Sequence, residues 1–341
     1  MKKLSFLNKF IFFINNIFAL LFIVSFVIPY IPPKSFPLLS VLSLATPILI
    51  LIHLLFILYW LLNGFKKQFF LSSFCILLAI SFSHFPYKFK DTKSTSTNSF
   101  KVMNFNVRLF NLYDWFDDKE IPAKIDTFIE ENDPDILAIQ EYYPAKNSSF
   151  KYPYKYVKLK GKRKNFGQAI YSKYKIINKG SVDFKTSSNN AIFIDILKDK
   201  DTIRVYNIHL ESFGIKAQNV DFTNFDEKKS KKLLQRLSNS FTKQQAQVEQ
   251  FLQHKNKVNY KTIICGDFNN TAYSWAYRQI KGKLNDSFLE AGKGFGKTFS
   301  FNKYPLRIDF ILVDPKFKIN QHQNFEINLS DHEPILAILS E

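Results

Sequence analysis

Acidic residues are missing from the first quarter of the chain. Residues 1–85 hold no Asp or Glu and only six basic residues: Lys2, Lys3, Lys9, Lys34, Lys66 and Lys67. The apolar runs within that stretch carry no Asp, Glu or Arg, and charges inside a membrane usually mark ion pathways. A channel or transporter is therefore set aside in favour of an anchor. Cysteine is scarce too: Cys75 and Cys265 are the two present, and neither has a plausible partner. A disulfide framework is excluded, and both read as small buried hydrophobes. No internal repeat is apparent.

What the first stretch does contain is three apolar runs, roughly 10–31, 38–62 and 69–85. A membrane-spanning helix needs about 20 apolar residues, with a floor near 17. The third run is marginal, and the expectation is a multi-pass membrane anchor of about three transmembrane helices over residues 1–86, with two helices plus an interfacial segment as the alternative. The opening MKKLSFLNK resembles the charged leader of a cleaved signal peptide. Two further apolar runs and the lack of a clear small-residue cleavage site argue against that reading. Lys2, Lys3 and Lys9 precede the first run and Lys66 and Lys67 follow the second, against Lys34 alone between the first two. Cytoplasmic loops collect Lys and Arg, so three crossings place residues 86–341 outside the inner membrane of a bacterial cell.

Residues 87–100 are rich in Lys, Ser and Thr and read as a linker. From 101 to 341 short apolar runs (KVMNFNV, DILAIQE, AIFIDIL, TIRVYNIHL, TIICGDF, RIDFILV, EPILAIL) alternate with polar stretches. KIDTFIEEN and TKQQAQVEQFLQ carry helical spacing, so the domain is α/β or α+β. Its length suffices for one packed core. The irregular region 214–245 reads as an inserted loop leading into a helix, its charge a solvated face. Of the 47 basic residues 41 fall in 86–341, against all 29 acids, a net charge of +12 within the chain's +18.

Several of the apolar runs end on polar residues. Asn106 lies in NFNVR, Glu141 ends LAIQE, and His209 and Glu211 follow VYNI. Asp267 and Asn269 close ICGDFN, Asp309 stands in RID, and Asp331 and His332 in LSDHEP. Each alone reads as an edge carboxylate, a cap or a hydrogen-bonded core histidine. Together they point to one rim, because parallel or mixed sheets gather such strand ends. Side chains two apart in an extended segment face the same way, so Asp267 and Asn269 are expected to face one ligand. Asp331 and His332 should contact different groups. Gly266 is expected to permit a tight turn where the backbone approaches a ligand.

In this order, the NFN strand, QE, HL, GDFN, RID and SDH resemble the endonuclease/exonuclease/phosphatase superfamily over about residues 100–340. The resemblance implies a four-layer α/β sandwich of two packed mixed β-sheets flanked by helices, here preceded by the transmembrane region. It also implies Mg²⁺-dependent cleavage of a phosphoester, with Mn²⁺ as a substitute. By the same resemblance Glu141 is the principal metal ligand, with Asn106 close by and Asp331 completing the sphere. Asp267 positions or deprotonates the attacking water, Asn269 holds the phosphate or that water, and His332 hydrogen-bonds the phosphate with Asp309 orienting its ring. His209 donates to a phosphate oxygen. One departure is Arg108, two places after the motif asparagine, where apurinic endonucleases have an acid. It reads as a phosphate contact or a salt bridge. AIYSKYKI resembles a strand and turn of the superfamily that would bring Ser172 and Lys173 near the rim. Glu211 has no assigned role and reads as solvent-exposed. The basic stretch 160–167 reads as an exposed loop, with a phosphate-contacting patch as the alternative; the histidines 53, 84, 254 and 322, the last two in polar stretches, are read as structural.

A charge of +12 favours a polyanionic partner such as nucleic acid, whereas nearness to a membrane suits a phospholipid headgroup. The leading expectation is a nuclease- or phosphodiesterase-like hydrolase. The alternative is a lipid or inositol-phosphate phosphatase or a sphingomyelinase-like phospholipase. A non-catalytic binding protein on the same fold is a reading of a different class, and the presence of Asp267 and His332 argues against it.

Overall fold

In the computed structural model, residues 4–341 are described apart from 65, 83–84, 90, 92, 95, 97, 145–149, 161–164, 186, 216–225 and 303. The basic loop 160–167 and His84 therefore fall partly or wholly outside the described residues. The helices are α1 (Phe6–Val27), α2 (Pro37–Ser40), α3 (Thr46–Leu62), α4 (Phe69–Ser81), α5 (Ile121–Asn132), α6 (Glu227–Lys255), α7 (Trp275–Lys281) and α8 (Ser287–Ala291). The strands are β1 (Ser99–Asn106), β2 (Ile136–Tyr142), β3 (Tyr154–Lys160), β4 (Phe166–Ser172), β5 (Lys175–Asp183), β6 (Asn190–Lys198) and β7 (Asp201–His209). They continue with β8 (Lys261–Asp267), β9 (Asn285–Asp286), β10 (Phe299–Phe301), β11 (Tyr304–Leu306), β12 (Asp309–Val313), β13 (Lys318–Asn324) and β14 (Ile335–Ser340).

Period-two alternation decides how these strands are used. Along β1, Phe100 and Val102 face one way and Met103 and Phe105 the other; β2 repeats this with Ile136 and Ala138 against Leu137 and Ile139. Both faces being apolar, each strand must be covered on both sides. Two six-stranded mixed sheets result, in the orders β13-β14-β1-β2-β4-β3 and β5-β6-β7-β8-β12-β9, with β10-β11 as a separate hairpin. Phe100, Val102, Ile136, Ile194, Ile203, Val205, Ile263 and Cys265 fill the layer between them. On the outer face of the first sheet lies α5, whose Ile121, Ile125 and Ile129 form one buried stripe. On the second sheet α6 lays down Val248 and Phe251 and α7 adds Trp275 and Tyr277. Each such side chain, once buried, stabilises by about 1.5–3 kcal/mol. This is the four-layer sandwich expected.

Within each sheet one pair is parallel: β1 with β2, and β7 with β8. The carboxyl ends of all four strands therefore finish at one rim. β12 runs antiparallel to β8 with Asp309 opposite Asp267, and β14 runs antiparallel to β1 and starts at that same end. β4 is antiparallel to β2, with Ser172 opposite Ile136 and Gly167 opposite Tyr142. The rim thus receives Gly167, while Ser172 and Lys173 sit at the far end of the sheet, about 17 Å from Glu141 at roughly 3.3 Å per residue. The expectation for those two residues is corrected: strand direction was the unknown. Lys173 instead pairs with Asp133 and Asp135.

The amino-terminal helices α1, α3 and α4 pack on one another around Phe22, Leu49 and Cys75. Polar side chains tie them: Asn15 donates to Ser72 Oγ at 2.9 Å and accepts from Trp60 Nε1 at 3.2 Å, while His53 Nδ1 lies 3.0 Å from Ser72 Oγ. Among the described residues two helical stretches, Phe6–Tyr30 and Pro37–Leu62, are long and apolar enough to cross a membrane. The third, α4, has 13 residues, about 20 Å at 1.5 Å per residue against a hydrocarbon core of about 30 Å. Two of the three apolar runs thus form helices of spanning length and the third forms a shorter one. Phe82 ends α4 in a non-helical conformation, and residues 83–84 of the apolar run lie outside the described residues.

His322 is buried on β13, where Nδ1 lies 2.9 Å from Ser287 Oγ and Nε2 3.1 Å from Asn324 Oδ1. Burial, partly opposed by Asp286, lowers it to about 4. The folded state keeps the ring neutral whereas the unfolded chain protonates it near 6.5. Its contribution is therefore full above pH 6.5 and is lost as pH falls toward 4, up to about 3 kcal/mol. Thermal melts between pH 7 and 4.5 should show the melting temperature falling less steeply in His322→Gln than in the native chain. Equal slopes would remove His322 from the account.

Candidate active site

The inner layer between the sheets changes character toward the rim. Following the same alternation inward past the apolar positions, β1 presents Asn104 and Asn106, β2 Gln140, β7 Asn207 and His209, β8 Asp267 and β12 Asp309. Gln140 Nε2 donates to Asn104 Oδ1 at 2.7 Å and Asn207 Oδ1 at 2.5 Å, and Asn207 Nδ2 donates to the Ile139 and Ala169 carbonyls at 2.8 and 3.2 Å. This amide plug forms the polar floor beneath the rim. Asn104, Gln140 and Asn207 were not singled out in the sequence, although each stands on the inward phase and two lie two places before a residue that was.

Above the floor, Asp267 is the hub. It is 1% exposed. Its Oδ2 accepts from Asn106 Nδ2 at 3.0 Å, and Oδ1 accepts the Asn269 backbone N–H at 2.7 Å. His209 Nε2 and His332 Nε2 stand 3.6 and 3.7 Å from Oδ2. Behind His332, Nδ1 meets Asp309 Oδ2 at 2.9 Å, and the Asp309 N–H donates to Thr298 Oγ1 at 3.1 Å. Asn106 Nδ2 also reaches Glu141 Oε1 at 3.4 Å. Asn106, Glu141, His209, Asp267, Asn269, Asp309 and His332 thus form one connected network, and Asp331 adjoins it through Ser330, whose hydroxyl donates to the Asn106 carbonyl at 2.8 Å.

Local backbone geometry aims three of these groups. β2 breaks register against β4 between Ile139 and Tyr142, and Glu141 takes φ 50°. Strict alternation would turn Glu141 away from Gln140; the bulge and the left-handed backbone bring both to the rim. Asn269, at φ 48°, ends a turn in which its own N–H bonds the Asp267 side chain. The two meet through this turn and not through extended alternation, because β8 stops at Asp267. Gly266 lies inside β8, where an added Cβ would stand 2.1 Å from the Ile208 carbonyl oxygen. Close approach of β7, and no ligand turn, requires the glycine.

Arg108 Nε lies 3.3 Å from Asp331 Oδ2, and its guanidinium stacks over Trp115 at 4.5 Å. Of the two readings for Arg108, the salt bridge is the one observed. Glu211 is half-buried, paired with Lys243 at 2.8 Å and bonded by Ser187, so it clamps β7 to α6.

The electrostatics follow from burial. Asp267 is pushed up to about 6, chiefly by burial and partly restrained by His332. Burial alone would lower His332, but Asp309 and Asp267 together hold it well above its ordinary 6.5. His209, with burial dominant and Asp267 opposing, is lowered and stays neutral. Glu141 is raised by burial first and by neighbouring Asp331 next. One ligand atom each from Asp267, Asp309 and His332 lies within 4.8 Å of the others, a grouping able to hold a metal ion. There the nearest Asp309 oxygen is already engaged by His332.

Residues 103–332 match the family model described as Endonuclease/Exonuclease/phosphatase family, and residues 8–85 match one described as a domain of unknown function. No curated protein matches the chain. Among solved structures, an endonuclease/exonuclease/phosphatase from Bacteroides vulgatus is similar at 17% identity and TM-score 0.54, over 72% of this chain and 99% of that one. D. rerio TDP2 complexed with single strand DNA product gives 15% and 0.54, over 71% and 99%. A mannosyl-6-phosphatase of Bacteroides thetaiotaomicron gives 18% and 0.51, over 71% and 100%. At these identities the likeness is one of fold.

Proposed function

The chain belongs to the endonuclease/exonuclease/phosphatase family, and from that premise we propose that it is a divalent-metal-dependent phosphoesterase in which Asp267 activates the attacking water. The observation that carries this is the buried chain Asn106–Asp267–His332–Asp309 closed over one rim.

The residues present fit a hard cation. Glu141, Asn106 and Asp331 offer oxygen ligands of the kind Mg²⁺ or Mn²⁺ takes. Burial and the adjacent Asp331 carboxylate raise the proton affinity of Glu141, a penalty a divalent charge would cancel. In the Asp267–Asp309–His332 grouping the imidazole and a carboxylate already bond each other; in the oxygen set Asp331 is shared with Arg108, while Glu141 meets Asn106 at a long 3.4 Å. Bound there, the ion supplies polarisation of a phosphoryl oxygen and neutralisation of leaving-group charge.

The protein's own groups divide the remaining work. With an affinity near pH 6, Asp267 is mostly ionised at neutral pH yet basic enough to take a proton from water. Asn106 and Asn269 hold its carboxylate in place, and Asn269 is placed to hold the water or a phosphate oxygen. His332, kept cationic by Asp309, donates to a phosphoryl oxygen; Asp309 is a positioning residue. His209, neutral, donates one N–H to another oxygen. The domain limits expected above, an anchor over 1–86, a linker over 87–100 and a catalytic domain over 101–341, belong to this proposal, as does membrane attachment. Support for the nuclease-like form comes from the +12 charge and from the DNA product named for TDP2; the sugar-phosphate enzyme supports a monoester.

The test is hydrolysis of bis-p-nitrophenyl phosphate by the full chain in detergent. EDTA should lower the rate at least a hundredfold, and Mg²⁺ or Mn²⁺ should restore it. Undiminished turnover in chelator would rule the metal out.

A further inference from the structure

We propose that the substrate is a membrane lipid phosphoester, its phosphate at the Asp267–His332 rim and its hydrocarbon chain held between the sandwich and the amino-terminal helices. This rests on the phosphoesterase reading above and adds the class of substrate.

A cavity of about 760 Å³ opens from the rim, with Glu141, His209, Asp267 and His332 at its polar end. One wall is not part of the sandwich: Val41, Leu44 and Ala45, just before α3, and Ile48, in its first turn, line the cavity together with Phe213 and Phe301. Among the described residues no Lys or Arg lines this cavity. A nucleic-acid strand is gripped along its backbone by such cations, whereas the described wall is apolar and suits an alkyl chain.

The apolar wall also continues. Ile48, Leu51, Leu55, Leu58 and Leu62 are all exposed, and their spacing of three or four places them along one face of α3. That face leads from the cavity for about 21 Å, at 1.5 Å per residue, down a helix of membrane-spanning character. A lipid tail lying on it would bring its headgroup to the metal ligands without leaving an apolar surface.

The wall is fixed to the sandwich. The Lys34 backbone N–H donates to Gln245 Oε1 at 2.7 Å, Lys34 Nζ pairs with Glu249 at 2.9 Å, and Arg278 stacks over Tyr30 at 3.5 Å. In the reaction water adds to phosphorus and one P–O ester bond breaks. The proton of that water passes to Asp267 and on to solvent, and the leaving oxygen takes up a proton and departs as an alcohol. One water is consumed and no redox partner is needed.

The experiment uses the full chain in detergent with alkyl p-nitrophenyl phosphates from methyl to hexadecyl, bis-p-nitrophenyl phosphate and a single-stranded oligonucleotide. kcat/KM should rise two- to fourfold per methylene until the cavity is filled, the upper figure corresponding to about 0.8 kcal/mol per buried methylene. Leu44→Glu should cut the ratio of hexadecyl to methyl rates at least tenfold. A hexadecyl phosphate bearing a mid-chain diazirine should label the native chain within residues 41–48, a readout that needs neither turnover nor a folded variant. A flat chain-length profile, labelling elsewhere, or faster cleavage of the oligonucleotide would overturn the lipid inference and leave the phosphoesterase standing. Labelling at 41–48 with no ester hydrolysed would do the reverse, overturning hydrolysis and leaving a lipid-binding cavity.

Discussion

Asp267→Asn is expected to slow turnover by about 10³–10⁴-fold while leaving the melting temperature within a few degrees of the native value. The amide cannot take a proton from water, so the rate loss follows from chemistry alone. Stability is set by two opposed effects. Removing a buried charge relieves the burial that raises this carboxyl to about 6. Against that, both carboxylate oxygens now accept hydrogen bonds, from Asn106 and from the Asn269 N–H. The new NH₂ must face one of those donors, at a cost of about 1–3 kcal/mol. Steady-state kinetics with calorimetry on the same preparation separates the two. A loss under tenfold would dismiss Asp267 as the base, and a collapse in melting temperature would reduce its role to structure.

The second large effect is His332→Ala, and here rate and stability fall together. Loss of a charged donor to the phosphoryl group should lower kcat by about 10²–10³. The same change leaves Asp309 Oδ2 without its 2.9 Å partner in a place where Asp309 is 1% exposed. Breaking one side of a buried pair costs about 3–5 kcal/mol, roughly 10 °C in melting temperature for a domain of this size. Alanine is thus a poor isolated probe of catalysis. Adding Asp309→Asn should recover most of the stability and none of the rate. A single variant as heat-stable as the native chain would show that Asp309 is not held by this imidazole.

Much of the fold was legible because the strands write their packing in plain alternation: in TIICGD, Ile263, Cys265 and Asp267 share one phase, and the switch from sulfur to carboxylate marks the rim. The motif residues converge because two parallel pairs end together, which an ordered set of polar run-ends implies. What stayed hidden depends on partners far along the chain. Glu141 reaches the rim through a bulge against β4 that nothing in LAIQE announces. Ser172 was misplaced because a strand's direction is decided by its neighbour, not by its own residues. The wall at 41–48 is furthest from sequence, since only the docking of Lys34 and Tyr30 on α6 and α7 places it beside the catalytic groups.

Asn104, Gln140 and Asn207 also bear on how the two sheets find each other. Were β1 to mispair with β2 by two residues, each side chain would keep its face, and aliphatic packing alone would tolerate the shift. The amides would not tolerate the shift that exchanges Asn104 for Val102 beside Gln140, since each orphaned group costs about 1–3 kcal/mol; the opposite shift would set Gln140 beside Asn106. Three neutral side chains beneath the rim would therefore disfavour that misalignment of β1 on β2, in which the aliphatic layer is still filled but the polar floor is not.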